Sequence, residues 1–370
     1  MLYGRMSLLI AALLLAVGGS AQAEIFATGA AVGGTQPDSI TSGDGSIWVE
    51  YGNGADSTGA SGNSTIVQYS PEGTVQQIYT IQGLADGLKF NPVTGMIWAL
   101  QNNDGNATLS FIDPTTHAVF SPLTYGPPYS YGPNGGTGRG YDDVAFLNGQ
   151  VYLSYTNPAN PTDPVLQILN QGNNPTGSLT TTTILTAQQT GLTSSTNEPD
   201  IDSLKSTPNG NLVLTTEGDG PGCCDPVGEF TLISHPGTPG QTVTNVAVTS
   251  GGNNVSGIDD VIFPGATSGW LYVTETGANT VDKVWLSGLD PNTPIVAIGG
   301  LGEVALVDPT TGDVESALLS GLDSPHGMDF VPVPEPSTWA MMLIGFGGLG
   351  AALRLARRTN KKRQLALPMG

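Results

Sequence analysis

Five aspartates and one histidine recur at matching places in this sequence: Asp38, Asp86, Asp142, Asp200, Asp259 and His326. Each stands four residues before the Phe, Leu or equivalent position that closes a short apolar segment. If the fold brings them together, converging carboxylates suit a hard cation such as Ca²⁺, which takes six to eight oxygen ligands. The competing role is structural, because an aspartate at the start of a strand can accept backbone N–H bonds and cap a turn. His326 is the candidate base of the set. The chain has three histidines, and no nucleophile flanks His326, so no triad is legible. His117 and His235 read as loop residues. Neither a Gly-x-Ser-x-Gly elbow, a phosphate loop nor a zinc-spaced cluster is present, and nothing points to a nucleotide cofactor.

The elements that must position these residues follow from a repeat. Asp86-Gly87-Leu88-Lys89-Phe90 leads through Gly95 to Met96-Ile97-Trp98-Ala99-Leu100, and Asp142-Asp143-Val144-Ala145-Phe146 leads through Asn148-Gly149 to Val151-Tyr152-Leu153. Asp200-Ile201-Asp202-Ser203-Leu204 leads to Leu212-Val213-Leu214, and Asp259-Asp260-Val261-Ile262-Phe263 leads through Gly269 to Trp270-Leu271-Tyr272-Val273. Weaker copies begin at Asp38 and end at Phe330. The starts are 48, 56, 58, 59 and 67 residues apart. Short strands at a period near 50, each closed by a turn, are the mark of propeller blades. The fold class predicted is all-β: a β-propeller of six blades, with five or seven also compatible and an array of β-sandwiches as the rival architecture. The last copy lacks outer strands after it. Its blade must therefore be completed by residues 304–319 or by the N-terminal residues 25–30. The pattern resembles bacterial propellers of the gluconolactonase, streptogramin-lyase and NHL type over residues 36–332. In the lactonase-like members, the resemblance implies, a metal at this place polarises a substrate carbonyl.

Both ends of the chain are addresses. Arg5, the apolar residues 8–17 and Ala21-Gln22-Ala23 form a secretory signal, cut after Ala23, so residues 1–23 are a signal peptide handled by the Sec machinery. Residues 24–332 form the ectodomain and 333–370 a tail. In that tail Val333-Pro334-Glu335-Pro336 precedes an apolar stretch, 339–353, which reads as a C-terminal transmembrane helix. A basic segment, 354–363, follows with Arg354, Arg357 and Arg358, and fixes that end in the cytoplasm. This order resembles the PEP-CTERM domain of Gram-negative bacteria, also known as the ice-binding protein C-terminal domain. The resemblance implies recognition of Pro334, Glu335 and Pro336 by an exosortase, a transient membrane anchor, then release at the cell surface. It also implies an exopolysaccharide or biofilm setting.

Of eleven Lys and Arg, four lie between Glu24 and Glu335, against all thirty-one acidic residues, a net charge of −27 for the exported part. Such a field disfavours nucleic acid and anionic membrane, and favours cations or neutral partners such as polysaccharide. Tyr125, Tyr129, Tyr131 and Tyr141, near a Gly-rich loop, are candidate platforms for sugar rings. The adjacent pair Cys223 and Cys224 is a candidate vicinal disulfide for an oxidising compartment. Two functions are compatible with these features. One is a surface-sorted binding or matrix propeller. The other is a metal-dependent lactonase-like hydrolase or lyase using the aspartates.

Overall fold

The computed structural model describes residues 23–126, 140–156, 158, 160–191, 201–217 and 227–333. Six four-stranded antiparallel sheets are arranged as blades. Blade 1 runs from its inner strand Pro37–Gly43 through Ser46–Tyr51 and Asn63–Tyr69 to Val75–Gln82. The inner strands of blades 2 to 6 are Gly87–Phe90, Tyr141–Leu147, Ile201–Ser206, Ile258–Ile262 and Pro325–Pro332. The six-bladed propeller expected from the repeat is the architecture.

The blades hold together because each is apolar on both faces. Six clusters of buried side chains fill the six seams between neighbours. Trp48, Ile66 and Tyr79 of blade 1 meet Leu88, Ile97 and Ala99 of blade 2, for example. Second strands lie inside this packing and read as unbroken buried runs, as in Ile97–Gln101 and Leu212–Thr216. Outermost strands touch water, so Val75–Gln82 is mostly exposed, with only Tyr79 and Ile81 turned inward and buried. Tight hairpins link inner to second strands. Asp44-Gly45 and Asn148-Gly149 all take positive φ, between 51° and 79°, the geometry of the two-residue turn that matches strand twist.

The last two blades depart from the simple order. After the inner strand of blade 5, the chain crosses to blade 6 and lays down Ser268–Glu275 and Thr280–Ser287. It then returns to complete blade 5 with Ile295–Ile298, Glu303–Val307 and Val314–Ser320 before entering the inner strand of blade 6. The outermost strand of blade 6 is Glu24–Thr28, paired with Thr280–Ser287. The N-terminal completion expected from the sequence is thus observed. Two other expectations are corrected. Residues 304–319 belong to blade 5, and Trp270–Val273 pairs with the inner strand of blade 6 instead of following Asp259 within its own blade. Blades 5 and 6 are interlocked by this exchange, and the ring closes through both it and the N-terminal strand.

The expected signal segment before Ala23, the tail residues Pro334, Glu335, Pro336, Arg354, Arg357 and Arg358, and the helix 339–353 all lie outside the described residues. Asp200, Cys223, Cys224, Tyr129 and Tyr131 do as well. Among the described residues no helix is long and apolar enough to cross a membrane.

Candidate functional site at the channel mouth

Five of the six inner strands carry a register irregularity at the same place. The shifts fall between Pro37 and Ile40, Tyr141 and Val144, Ile201 and Leu204, and Ile258 and Val261, and opposite Pro325–Met328 in blade 6. A bulge inserts an extra residue and re-aims side chains. Here two consecutive side chains from each of blades 1, 3, 4 and 5 line the channel. The first set forms the mouth, and the second forms a waist beneath it.

Asp38, Asp86, Asp142 and Asp259 line the mouth around a cavity of about 30 Å³. That is room for one ion or a water or two. The fourth-blade position is filled by Asp202. Sequence reasoning chose Asp200 by aligning Leu204 with Phe146, but Leu204 pairs across its hairpin as Val144 does. A slip of two residues keeps the side-chain parity of a strand, so an alternating pattern does not reveal it.

His326 completes the ring. Its Nδ1 lies 2.8 Å from Asp259 Oδ2 and 3.2 Å from Asp38 Oδ1, and its Nε2 is 2.9 Å from Ser324 Oγ. Burial alone would lower the imidazole, but the charges and hydrogen bonds of Asp259 and Asp38 outweigh it and push its pKa up to about 12. For Asp38, burial pulls upward, yet the bond and charge of His326 hold it below the usual carboxylate value. Asp86 and Asp202 have no such cation among the described residues. Burial, then the charges of Asp38 and Asp142, raises Asp86 well above its ordinary value. Burial, then Asp259 and Glu217, does the same to Asp202. Asp259 is also raised by burial, with His326 partly offsetting. Asn103 Nδ2 donates to Asp86 Oδ2 at 2.9 Å and to Asp142 Oδ1 at 2.7 Å, bridging blades 2 and 3.

Two acids that the inner-strand repeat does not reveal join this site. Oxygen atoms of Asp202, Glu217 and Asp259 all lie within 4.8 Å of one another, an all-oxygen set that fits a hard cation. Glu50, on the second strand of blade 1, is completely buried, and burial followed by the charge of Asp38 raises it well above normal. Neither of its carboxyl oxygens has a hydrogen-bond partner among the described residues. Their sequence signal was weak but present. Glu50 interrupts the apolar run Ile47-Trp48-Val49, and Glu217 follows Thr215-Thr216 at a strand end.

The waist works differently. Asp143 accepts from Val144 N at 2.8 Å and from Leu204 N of the next blade at 3.1 Å. Asp260 accepts from Val261 N and from Met328 N of blade 6, both at 2.7 Å, and from the Ser203 hydroxyl. Lys89 Nζ sits 3.1 Å from Asp143, and Lys205 Nζ sits 3.0 Å from Asp260 and 3.7 Å from Asp143. The acceptance of backbone N–H bonds weighed for the recurrent aspartates is found on their neighbours Asp143 and Asp260. It belongs to the second residue of each Asp-Asp pair. Of the candidate platform tyrosines, Tyr141 is buried, donates to Gln167, and packs at 4.7 Å against the half-buried Tyr125.

Residues 332–358 match the PEP-CTERM protein-sorting motif. No curated protein is significantly similar to the chain. Among solved structures, the periplasmic gluconolactonase of Pseudomonas aeruginosa matches at 14% identity and a TM-score of 0.44, over 80% of this chain and 89% of that one. A functionally unknown protein from Desulfotomaculum acetoxidans matches at 11% and 0.43, over 81% and 90%. The hydrazine synthase of Kuenenia stuttgartiensis matches at 10% and 0.40, over 74% and 76%. The chain is a six-bladed propeller bearing a PEP-CTERM sorting motif, and that motif implies export and processing by an exosortase.

Proposed function

We propose that this exported propeller is a binding component of the cell surface whose channel mouth holds a hard divalent cation, Ca²⁺ by chemistry. The observation that carries the reading is the trio Asp202, Glu217 and Asp259, whose oxygens lie within 4.8 Å of one another. Three carboxylates so close do not all ionise at neutral pH unless a cation joins them. Asp86 and the buried Glu50, both raised well above the ordinary carboxylate range, crowd the same mouth. A bound cation would neutralise charge and draw blades 4 and 5 together.

A hydrolytic role is less well supported. Lactone or ester hydrolysis needs a base poised near the working pH. His326 is held as an imidazolium between Asp38 and Asp259, which makes it a fixed positive charge and a poor proton acceptor. A surface-sorted binding role, with polysaccharide or another neutral or cationic partner, needs no such group.

Titration calorimetry with Ca²⁺ on the chelator-stripped protein tests the cation. Saturable heat and a rise in melting temperature are expected, since a ligand bound only by the folded state stabilises it. Absence of both sinks the reading. For sorting, Glu335→Ala should leave the chain in the membrane fraction, and unchanged release to the surface would remove the processing claim.

A further inference from the structure

The channel does not end at the waist. Below it lies a second cavity of about 250 Å³, on the side away from the acidic ring. Its lining alternates in character. Phe90, Phe146, Phe263 and Phe330, from the ends of four inner strands, give it aromatic walls. Lys89, Lys205 and Asp329 give it polar ones.

The polar atoms are only partly committed. An ammonium carries three donors. Among the described residues, Lys89 meets Asp143, and Lys205 meets Asp143 and Asp260, so each lysine keeps donor capacity toward the cavity. The Asp329 carboxyl, held by Ser42, also lines the cavity and offers it an acceptor.

Three kinds of guest can be weighed. A purely apolar one would take water from the remaining donors of both ammoniums and from the Asp329 carboxyl without replacing its hydrogen bonds. An anion would meet a floor whose two lysines are already balanced by Asp143 and Asp260, with Asp329 adding further negative charge. A neutral polyol ring meets every requirement: its hydroxyl oxygens accept from the lysines, its O–H groups donate to Asp329, and its C–H face packs on phenyl rings. The volume falls below the roughly 300–1,000 Å³ of pockets for drug-sized ligands, which sets the guest at one ring.

We infer that the lower cavity binds a single neutral sugar ring, entering from the face opposite the acidic mouth. This site is independent of the cation reading, and the two are separable by experiment. The full chain, kept in a non-glycosidic detergent such as an amine oxide, is titrated with methyl glycosides of glucose, galactose and mannose. Saturation-transfer NMR reports contact. At least one glycoside should give saturable transfer. Asp329→Asn and Phe263→Ala should each weaken it about tenfold, in line with one lost hydrogen bond or ring contact. Asp202→Asn at the mouth should leave it unchanged. Glucuronate should bind worse than its neutral counterpart. If no glycoside shows saturable transfer, or if transfer survives both cavity variants unaltered, the inference fails. Preferred binding of glucuronate would overturn the neutral assignment. Should either variant unfold, Ile262→Trp, which fills the cavity, must abolish transfer for the inference to stand.

Discussion

The mouth and the waist of the channel are built from adjacent residues of the same type, yet the two tiers are electrostatic opposites. At the waist Asp143 and Asp260 are saturated by backbone N–H groups and by two lysines, and each ties its own strand to the next blade. At the mouth Asp142 and Asp259 sit one residue earlier among other carboxylates, with His326 as the balancing imidazolium. Residue type alone therefore does not assign the role. The bulge does, by sending neighbouring side chains to different tiers, one that holds the ring together and one that wants a guest.

The sharpest way to break this comparison is to delete a waist carboxylate. Asp260→Ala leaves Lys205 near Asp143 alone and removes a tie to blade 6. It should cost about 3–5 kcal/mol, the usual penalty for breaking a buried pair, measured by urea unfolding. The mouth should respond the other way. In chelator, Asp202→Asn relieves repulsion and should leave the protein equally or more stable. Ca²⁺ at about a hundred times its dissociation constant should stabilise the wild type by about 2.7 kcal/mol and should leave Asp202→Asn unmoved. A waist variant that kept full stability, or a mouth variant that lost it, would erase the distinction between the tiers.

A pH scan in chelator gives a smaller effect of defined sign. Asp86, Asp202 and Asp259 are raised, so the folded state holds their protons more tightly than the unfolded state. Their contribution is present at low pH and fades as pH rises from the ordinary carboxylate range through the raised values. His326, raised to about 12, behaves alike: its stabilisation is full below about 6.5 and declines above. Asp38, lowered, opposes this only at the acidic end, where its contribution is lost as pH falls. The melting temperature should therefore drop from pH 5 to 8 without metal and flatten when Ca²⁺ is added. A rise over that range would contradict the crowding of the mouth. The smallest effect belongs to the seam between blades 6 and 1. There the Thr274 hydroxyl donates to Asp38 O at 2.6 Å, and Thr274→Val should cost about 1 kcal/mol with Ca²⁺ affinity unchanged.

Much of this was legible in the sequence, because a propeller repeats one solution six times. The Asp and the apolar residues after it mark inner strands, and their spacing marks blades. Two features escaped for definite reasons. Trp270–Val273 follows the Asp259 motif at the same distance as in earlier blades, so nothing local signals that it pairs with Pro325–Pro332. Strand exchange is decided by long-range packing, not by pattern. At the mouth, Asp202 is hidden by the two-residue ambiguity of strand register, and Glu50 and Glu217 by their origin on second strands, outside the inner-strand repeat.

The exchange between the last blades also settles where the chain leaves its ring. The inner strand of blade 6 starts beside the mouth at His326 and descends the channel wall. Val333 N reaches Ser268 O at the lower end. Ala23, at the other terminus of the described chain, packs against the same lower seam with Phe330 and Leu286. Both the junction with the signal peptide and the junction with the sorting tail therefore lie on one side. A chain moored through the sorting motif would turn its lower face toward the bilayer and its acidic crown to the medium. Cutting the tail would then change exposure as well as location.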